Sequence, residues 1–319
     1  MARGPLFQDN YRPQFSGHET FPLRYGWLKK AYDAIAATEG SAENKSVFLS
    51  DDAIARFGVG KNMVASMRHW ATATGILNEE PGSAVIHATA LGHLLFGPKG
   101  LDPYMEHPAT LWLLHWNLSA RPSKTTWFWS FNHYPDITFD REHLTKGISR
   151  LVNERGWSRV SPVTIKNDVA CFVRTYTSQS NTRQSSNDDT FESPLIELGL
   201  IKGTGKRDGF RFVRGAKSTL GDGVFTYALL DFWLGYSNTA TLSFEAIAHE
   251  PGSPGRVFLL DEDDVAERLI NLEDLTCGDL RWSETAGLKQ VVRKPGANFD
   301  DPLGYTALDY AGTARRGLN

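Results

Sequence analysis

The 319-residue chain predicts a mainly α-helical protein with small β wings. A winged helix-turn-helix domain is expected over residues 1–145. A second α/β domain, with a second winged helix as its candidate form, is expected over 146–319. Three observations lead there. Residues 50–75 read as two helices around a glycine turn. Short apolar runs flanking Pro81-Gly82 follow directly. The middle of the chain then repeats a Lys-Asn pair ahead of an apolar helical stripe.

Residues 1–14 are polar and contain proline, which suits an arm. After Phe15–Phe21, Leu23, Trp27, Leu28, Ala31 and Ile35 fall at helical spacing, with Arg24, Lys29 and Lys30 beside them. Ser50 is placed to cap a helix over 51–57, with Asp51 and Asp52 in the first turn, where the helix dipole favours acids. Gly58-Val59-Gly60 supplies a tight turn. Residues 61–74 form the second helix, with Met63, Val64, Met67 and Trp70 on its buried stripe and Gly75 ending it. Lys61, Asn62 and Arg68 lie off that stripe, where a recognition helix presents phosphate and base contacts. An ordinary helical hairpin in a core is the competing explanation. Residues 76–78 and 85–86 around Pro81-Gly82-Ser83 predict a two-stranded wing. A helix over 89–96 should stop at Gly97-Pro98.

Residues 108–134 concentrate large apolar groups. Trp112, Trp116, Trp127 and Trp129 could stack bases, but large aromatics more often supply buried area, and core packing is expected. Pro108 suits a helix's first turn. From 140 to 176 a basic helical region ends in SRVSPVTIKNDVACFVRTY. Ser161 or Thr164 can cap its last helix, with Ile165, Val169, Phe172 and Val173 inward and Lys166, Asn167 and Arg174 outward. Residues 177–189 are polar and of low complexity, as in a loop or linker. Phe210 and Phe212 alternate with Arg211, as in a strand. The tip before them, KGTGKR, offers Lys206 and Arg207 to a phosphate, or is simply an exposed turn. Residues 224–236 predict an apolar helix. The remainder reads as short helices and loops with a tail after Lys294.

Net charge is −3, but its distribution is uneven. Residues 117–217 carry 16 Lys and Arg against 10 Asp and Glu, whereas 245–284 carry 3 Arg against 11 acids. One basic, nucleic-acid-facing part is compatible with that asymmetry; the acidic stretch is expected to be solvated surface. No apolar run is long enough to span a bilayer, and the start MARGPLFQDNYRP lacks an apolar signal region, so a cytoplasmic protein is expected. The two cysteines, Cys171 and Cys277, suit a reducing compartment and exclude a disulfide framework.

No zinc pattern, HExxH, P-loop or GxSxG occurs. Asp136, Asp140 and Glu142 with Lys146 superficially match the carboxylate–lysine pattern of metal-dependent nucleases, but the Glu142–Lys146 spacing of four suits a helical ion pair. Asp261–Asp264 precede a helix, where acids favour its N-terminus. The remaining candidate is Ser16-Gly17-His18-Glu19-Thr20-Phe21. There His18 could move protons, Glu19 could hold a divalent metal, Mg²⁺ or Mn²⁺, and Arg24 could hold a phosphate. The structural alternative is a hydrogen-bonded His18 with Glu19 capping the next helix.

Taken together, SGHETF, LRYGWLKK, GVGKNMV and LGHLLFGPKGLDPYMEHPATLWLLHW resemble the domain-of-unknown-function family of bacterial DNA phosphorothioation defence systems, over roughly residues 15–300. That family includes SspB-type nicking proteins. The resemblance implies a DNA-binding protein of an antiphage, restriction-modification type of system. Its partners would be a cysteine desulfurase, a sulfurtransferase-like protein and an ATPase. It also implies endonuclease activity that opens one strand for sulfur insertion, and supplies no catalytic motif to transfer. A non-enzymatic adaptor and a winged-helix regulator of the operon stay open, as does an oligomer.

Overall fold

The computed structural model describes residues 4–178, 192–206, 208–285 and 287–314. Arg207 and most of the 177–189 stretch lie outside these residues. Among the described residues the protein is α-rich with three small antiparallel sheets. The first helix, α1 (Trp27–Ala36), buries Trp27, Leu28, Ala31, Tyr32 and Ile35. It packs on α3 (Lys61–Ala73), which follows α2 (Ala53–Phe57) after the glycine turn. On α3 the stripe forms as expected: Val64, Met67 and Trp70 are buried and Met63 is half-buried.

Helix α2 is shorter than its sequence suggests. It starts at Ala53 after Asp52, and Ser50 supplies a backbone carbonyl to Ala53 N–H at 3.0 Å rather than a side-chain cap. Gly58 follows α2 at φ +67°, a conformation that excludes most side chains.

Strands β1 (Leu77–Glu79) and β2 (Ile86–Ala88) form an antiparallel hairpin, displaced by one or two residues from the expected runs. The buried Asn44 side chain extends this ladder. Its amide donates to Ile86 C=O at 2.8 Å and its carbonyl accepts from Ile86 N–H at 2.7 Å. Thr89 caps α4 (Ala90–Phe96).

The centre is built on α5 (Pro108–Ser119), in which every residue from Ala109 to Ser119 is buried, and on α6 (Thr125–Asn132), buried throughout. A helix apolar on all sides must be enclosed. The aromatic segment is accordingly core: Trp112, Trp116 and Trp127 are 0–1 % exposed. Next come β3 (Thr138–Asp140), α7 (Arg141–Glu154) and α8 (Pro162–Tyr176). Asp140 caps α7 and Ser161 caps α8 through Thr164 N–H at 3.1 Å. The Glu142–Lys146 ion pair forms at 2.6 Å.

Strands β4 (Ile201–Gly203) and β5 (Gly209–Phe212) complete a sheet ordered β3-β5-β4, so residues 138–140 pair with 209–211 across the expected division at 145. The buried α9 (Asp222–Tyr236) packs on α5.

The last third holds β6 (Thr241–Ser243), α10 (Phe244–His249), α11 (Pro254–Val257), α12 (Glu262–Ile270), α13 (Leu272–Leu275), β7 (Leu280–Thr285), β8 (Leu288–Arg293) and α14 (Ala307–Ala314). Asp261 caps α12 as its acid cluster suggested. The hairpin of β7 and β8, in a sheet ordered β6-β8-β7, stands where the sequence suggested only short helices and loops. Alternation there is weak, because only Leu280 and Val291 face the core fully. The expected tail is also structured. Asp309 of α14 accepts from Gly223 and Val224 N–H at 2.9 and 2.8 Å, capping α9 from a distance. Buried side chains from both halves form one contiguous core.

Candidate functional site

The segment 15–21 has an unusual backbone. Ser16, Glu19 and Thr20 adopt φ of +63°, +46° and +64°, and Gly17 +89°. Each non-glycine residue there costs on the order of 1–3 kcal/mol and persists only where its surroundings fix it. Those surroundings are α3, α6 and α8.

Asp168, buried on the inward face of α8, is the centre of the arrangement. Its Oδ1 accepts from Ser16 N–H at 2.7 Å and lies 2.8 Å from His18 Nε2; its Oδ2 accepts from the Thr126 hydroxyl at 2.8 Å. Thr20 N–H donates to His18 Nδ1 at 3.0 Å. That bond requires Nδ1 to be unprotonated, so Nε2 carries the proton and donates to Asp168. Both ring nitrogens of His18 are therefore engaged, and the ring is 2 % exposed.

The loop's later carbonyls are held as well. Trp70 indole N–H donates to Phe21 C=O at 3.0 Å, and the Arg174 guanidinium donates to Thr20 C=O. His69 stands 5.8 Å from His18, ring to ring, with its Nε2 buried and unpartnered. Burial, then the charge of Lys124, then His18 hold its pKa well below the ordinary value. Burial also lowers the Lys124 ammonium, against the pull of Asp168. Gly17 is required on a second count: a Cβ there would lie 2.5 Å from His69 Nδ1.

The three residues expected to do chemistry have different surroundings. His18 is buried in the network. Glu19 is exposed and makes no ion pair among the described residues, nor does it cap α1, which begins after Gly26. The Arg24 guanidinium lies over the Phe21 and Trp27 rings, 5.4 and 5.5 Å from their centroids.

Among the described residues no group of three or more His, Cys, Asp or Glu is arranged to hold a metal. Magnesium binds through one or two carboxylates with waters and substrate phosphates. Here Asp168 is occupied by three donors, and Glu19 makes no ion pair among the described residues. The loop's donor set does not fit a preformed metal site.

Of the expected nucleic-acid contacts, Lys61 and Asn62 are exposed on the first turn of α3, and Lys166 and Asn167 on the second turn of α8. Lys206 is exposed beyond β4. Arg68 has another role. It donates to both Glu79 oxygens at 2.8 and 2.6 Å, and Lys45 meets the same carboxylate at 2.6 Å. Burial pushes the Glu79 carboxyl up, and the bonds from Arg68 and Lys45 overcome this and hold it below its ordinary value. Arg68 thus fastens α3 to β1. Arg174 likewise fastens α8 to the loop.

Sequence reading passed over Asp168, Thr126, Glu79 and Asn44. For Asp168 a signal existed: it lies three residues after Ile165 and four before Phe172, a carboxylate on an apolar face.

Residues 15–302 match the family model described as "Protein of unknown function (DUF4007)", and the chain belongs to that family. Two solved structures are similar over nearly the whole chain. A magnesium ion-bound SspB crystal structure shares 30% identity at a TM-score of 0.79, covering 96% of this chain and 97% of its own. A second SspB crystal structure, also at 30% and 0.79, covers 95% of this chain and 88% of its own. The SspB-type resemblance of the sequence motifs thus extends to the fold of nearly the whole chain. No curated protein matches. No helix among the described residues is long and apolar enough to cross a membrane.

Proposed function

We propose that this chain is a cytoplasmic DNA-binding protein of a bacterial DNA phosphorothioation system. One observation carries the reading: a single strained loop, 15–21, bonds to both α3 and α8. Those are the two helices that expose a Lys-Asn pair near the N-terminus, in the first turn of α3 and the second turn of α8. In this reading the unit α2–turn–α3–β1–β2 is a winged helix. The ammonium groups of Lys61, Lys166 and Lys206 meet phosphates, and the Asn62 and Asn167 amides reach base edges. Arg68 acts indirectly by holding the wing against α3. Residues 1–145 and 146–319 are two functional halves sharing one core.

Strand nicking is the finer reading, supported by the likeness to SspB and by the exposed Glu19 beside strained backbone. The magnesium of the similar structure belongs to that protein. A specific observation favours the non-enzymatic adaptor: His18, the expected acid–base group, has both nitrogens engaged. In that reading the protein presents DNA to the sulfurtransferase-like protein and its ATPase and cysteine desulfurase partners.

A supercoiled-plasmid assay with Mg²⁺ or Mn²⁺ separates the two. Open-circle product that disappears in Glu19→Ala establishes nicking; its absence at full DNA occupancy leaves the adaptor. Lys61→Glu should weaken duplex binding and flatten the dependence of log K on log salt by about 1. Unchanged affinity ends the assignment of α3. Strong footprinting confined to the protein's own promoter would make it a regulator instead.

A further inference from the structure

A cleft of about 790 Å³ opens between the N-terminal segment and the α7–α8 turn. Its walls include Arg12 and Phe15 on one side and Trp157 and Arg159 on the other, with Ser16 and Thr164 on its lining. The volume lies within the range of small-molecule sites. Two features distinguish it. Its charged lining residues are both arginines, whereas three other clefts of the protein each carry acids: Asp301 in one, Asp231 and Glu250 in another, and Asp136, Asp140 and Asp208 in a third. Moreover, neither Arg12 nor Arg159 has an acidic partner among the described residues, and both are exposed.

The walls are fixed. Tyr11 hydroxyl donates to Pro122 C=O at 2.8 Å. Gln14 and Thr125 exchange two bonds, Gln14 N–H to Thr125 Oγ1 at 2.8 Å and Thr125 N–H to Gln14 C=O at 3.0 Å. Arg155 holds Gln8 C=O at 3.1 Å. The Tyr11 ring packs against Trp157 at 5.4 Å. A built cleft that combines two unpaired guanidinium groups with half-buried aromatic rings matches one chemistry: a phosphate for the arginines and a flat π-system for the rings. Double-stranded DNA offers phosphates but keeps its bases stacked inside. An unpaired nucleotide offers both.

We propose that this cleft binds an unpaired nucleotide of single-stranded DNA, its phosphate on Arg12 and Arg159 and its base against Trp157 and Phe15. The proposal rests on the DNA-binding reading and goes beyond it, since Lys61 and Asn62 on α3 address duplex. Ser16 connects the two: it lines the cleft, and its backbone N–H is held by Asp168. Lys166 and Asn167 lie just beyond Thr164 on α8, so a strand leaving the cleft along that helix meets further donors.

The test uses the full chain, a fluorescein-labelled oligothymidylate and a labelled duplex, with affinity read by anisotropy at one salt concentration. Arg12→Glu/Arg159→Glu alters two exposed side chains and should weaken single-strand binding at least tenfold while changing duplex affinity less than twofold. Oligothymidylate should also quench tryptophan fluorescence, less so in Trp157→Phe. Single-strand affinity unchanged in the double variant overturns the proposal, as does an equal loss for both ligands. Duplex bound without any single-strand binding overturns the cleft alone. Binding of neither DNA by the wild-type chain overturns the DNA-binding reading itself.

Discussion

Asp168→Ala should be among the most damaging single substitutions in this protein. The carboxylate accepts from Ser16 N–H, His18 Nε2–H and the Thr126 hydroxyl. His18 and Thr126 are 2 % and 0 % exposed, so water cannot replace the lost acceptor for them, whereas Ser16 is at the surface. Two orphaned buried donors at about 1–3 kcal/mol each give a loss of about 2–6 kcal/mol. That is a large fraction of the stability of a typical protein. Urea unfolding followed by tryptophan fluorescence reads it directly, since Trp70 and Trp127 stand 5.7 Å apart beside the loop. Asp168→Asn, which keeps one acceptor oxygen, should fall between wild type and alanine. His18→Ala and the double variant complete a cycle whose coupling should exceed about 1 kcal/mol, as for residues in one network. A loss under about 1 kcal/mol for Asp168→Ala, or strict additivity with His18→Ala, would mean that the network does not hold the loop.

Three further outcomes follow from the same structure. Gly17→Ala should cost more than Gly58→Ala, both having positive φ but only Gly17 facing His69 Nδ1 at 2.5 Å; equal unfolding midpoints would remove the close-approach argument. His115 is fully buried between Tyr176 hydroxyl and Val257 C=O, and its pKa is lowered to about 4, by burial first, with Lys217 adding to it against the Val257 bond. The unfolded chain therefore binds a proton that the folded chain refuses between about pH 6.5 and 4. His115 costs nothing above that window, and stability falls as pH drops through it, by roughly 3 kcal/mol at most; His115→Gln should flatten that part of the unfolding profile. Finally, a thiol reagent should modify the exposed Cys277 rapidly in the native protein and reach the buried Cys171 only on unfolding; two fast thiols would contradict the packing of α8.

Local signals accounted for much of this fold. Helical spacing with Gly58 and Gly75 placed α3 within a residue, Ser161 capped α8, and four aromatic-segment tryptophans proved to be core because a helix apolar on every side must be enclosed. Those signals operate over a few residues of chain, where period and cap chemistry decide. The β7–β8 hairpin escaped because its strands sit half at the surface, so alternation is blurred. Arg68 and Arg174 looked like free cations because a sequence shows charge without showing which carboxylate or carbonyl lies opposite; Glu79 and Thr20 C=O do.

The candidate site shows the same division. Residue types and spacing singled out His18, Glu19 and the Lys-Asn pairs. The meeting of His18 with Asp168, 150 positions away, and the cleft between Arg12 and Arg159 depend on contacts that no local pattern encodes. Side-chain chemistry is a property of the residue and can be read from the chain. Burial, proton placement and the pairing of charges belong to the space between elements, and only the packing of α3, α6 and α8 around one strained loop decided them.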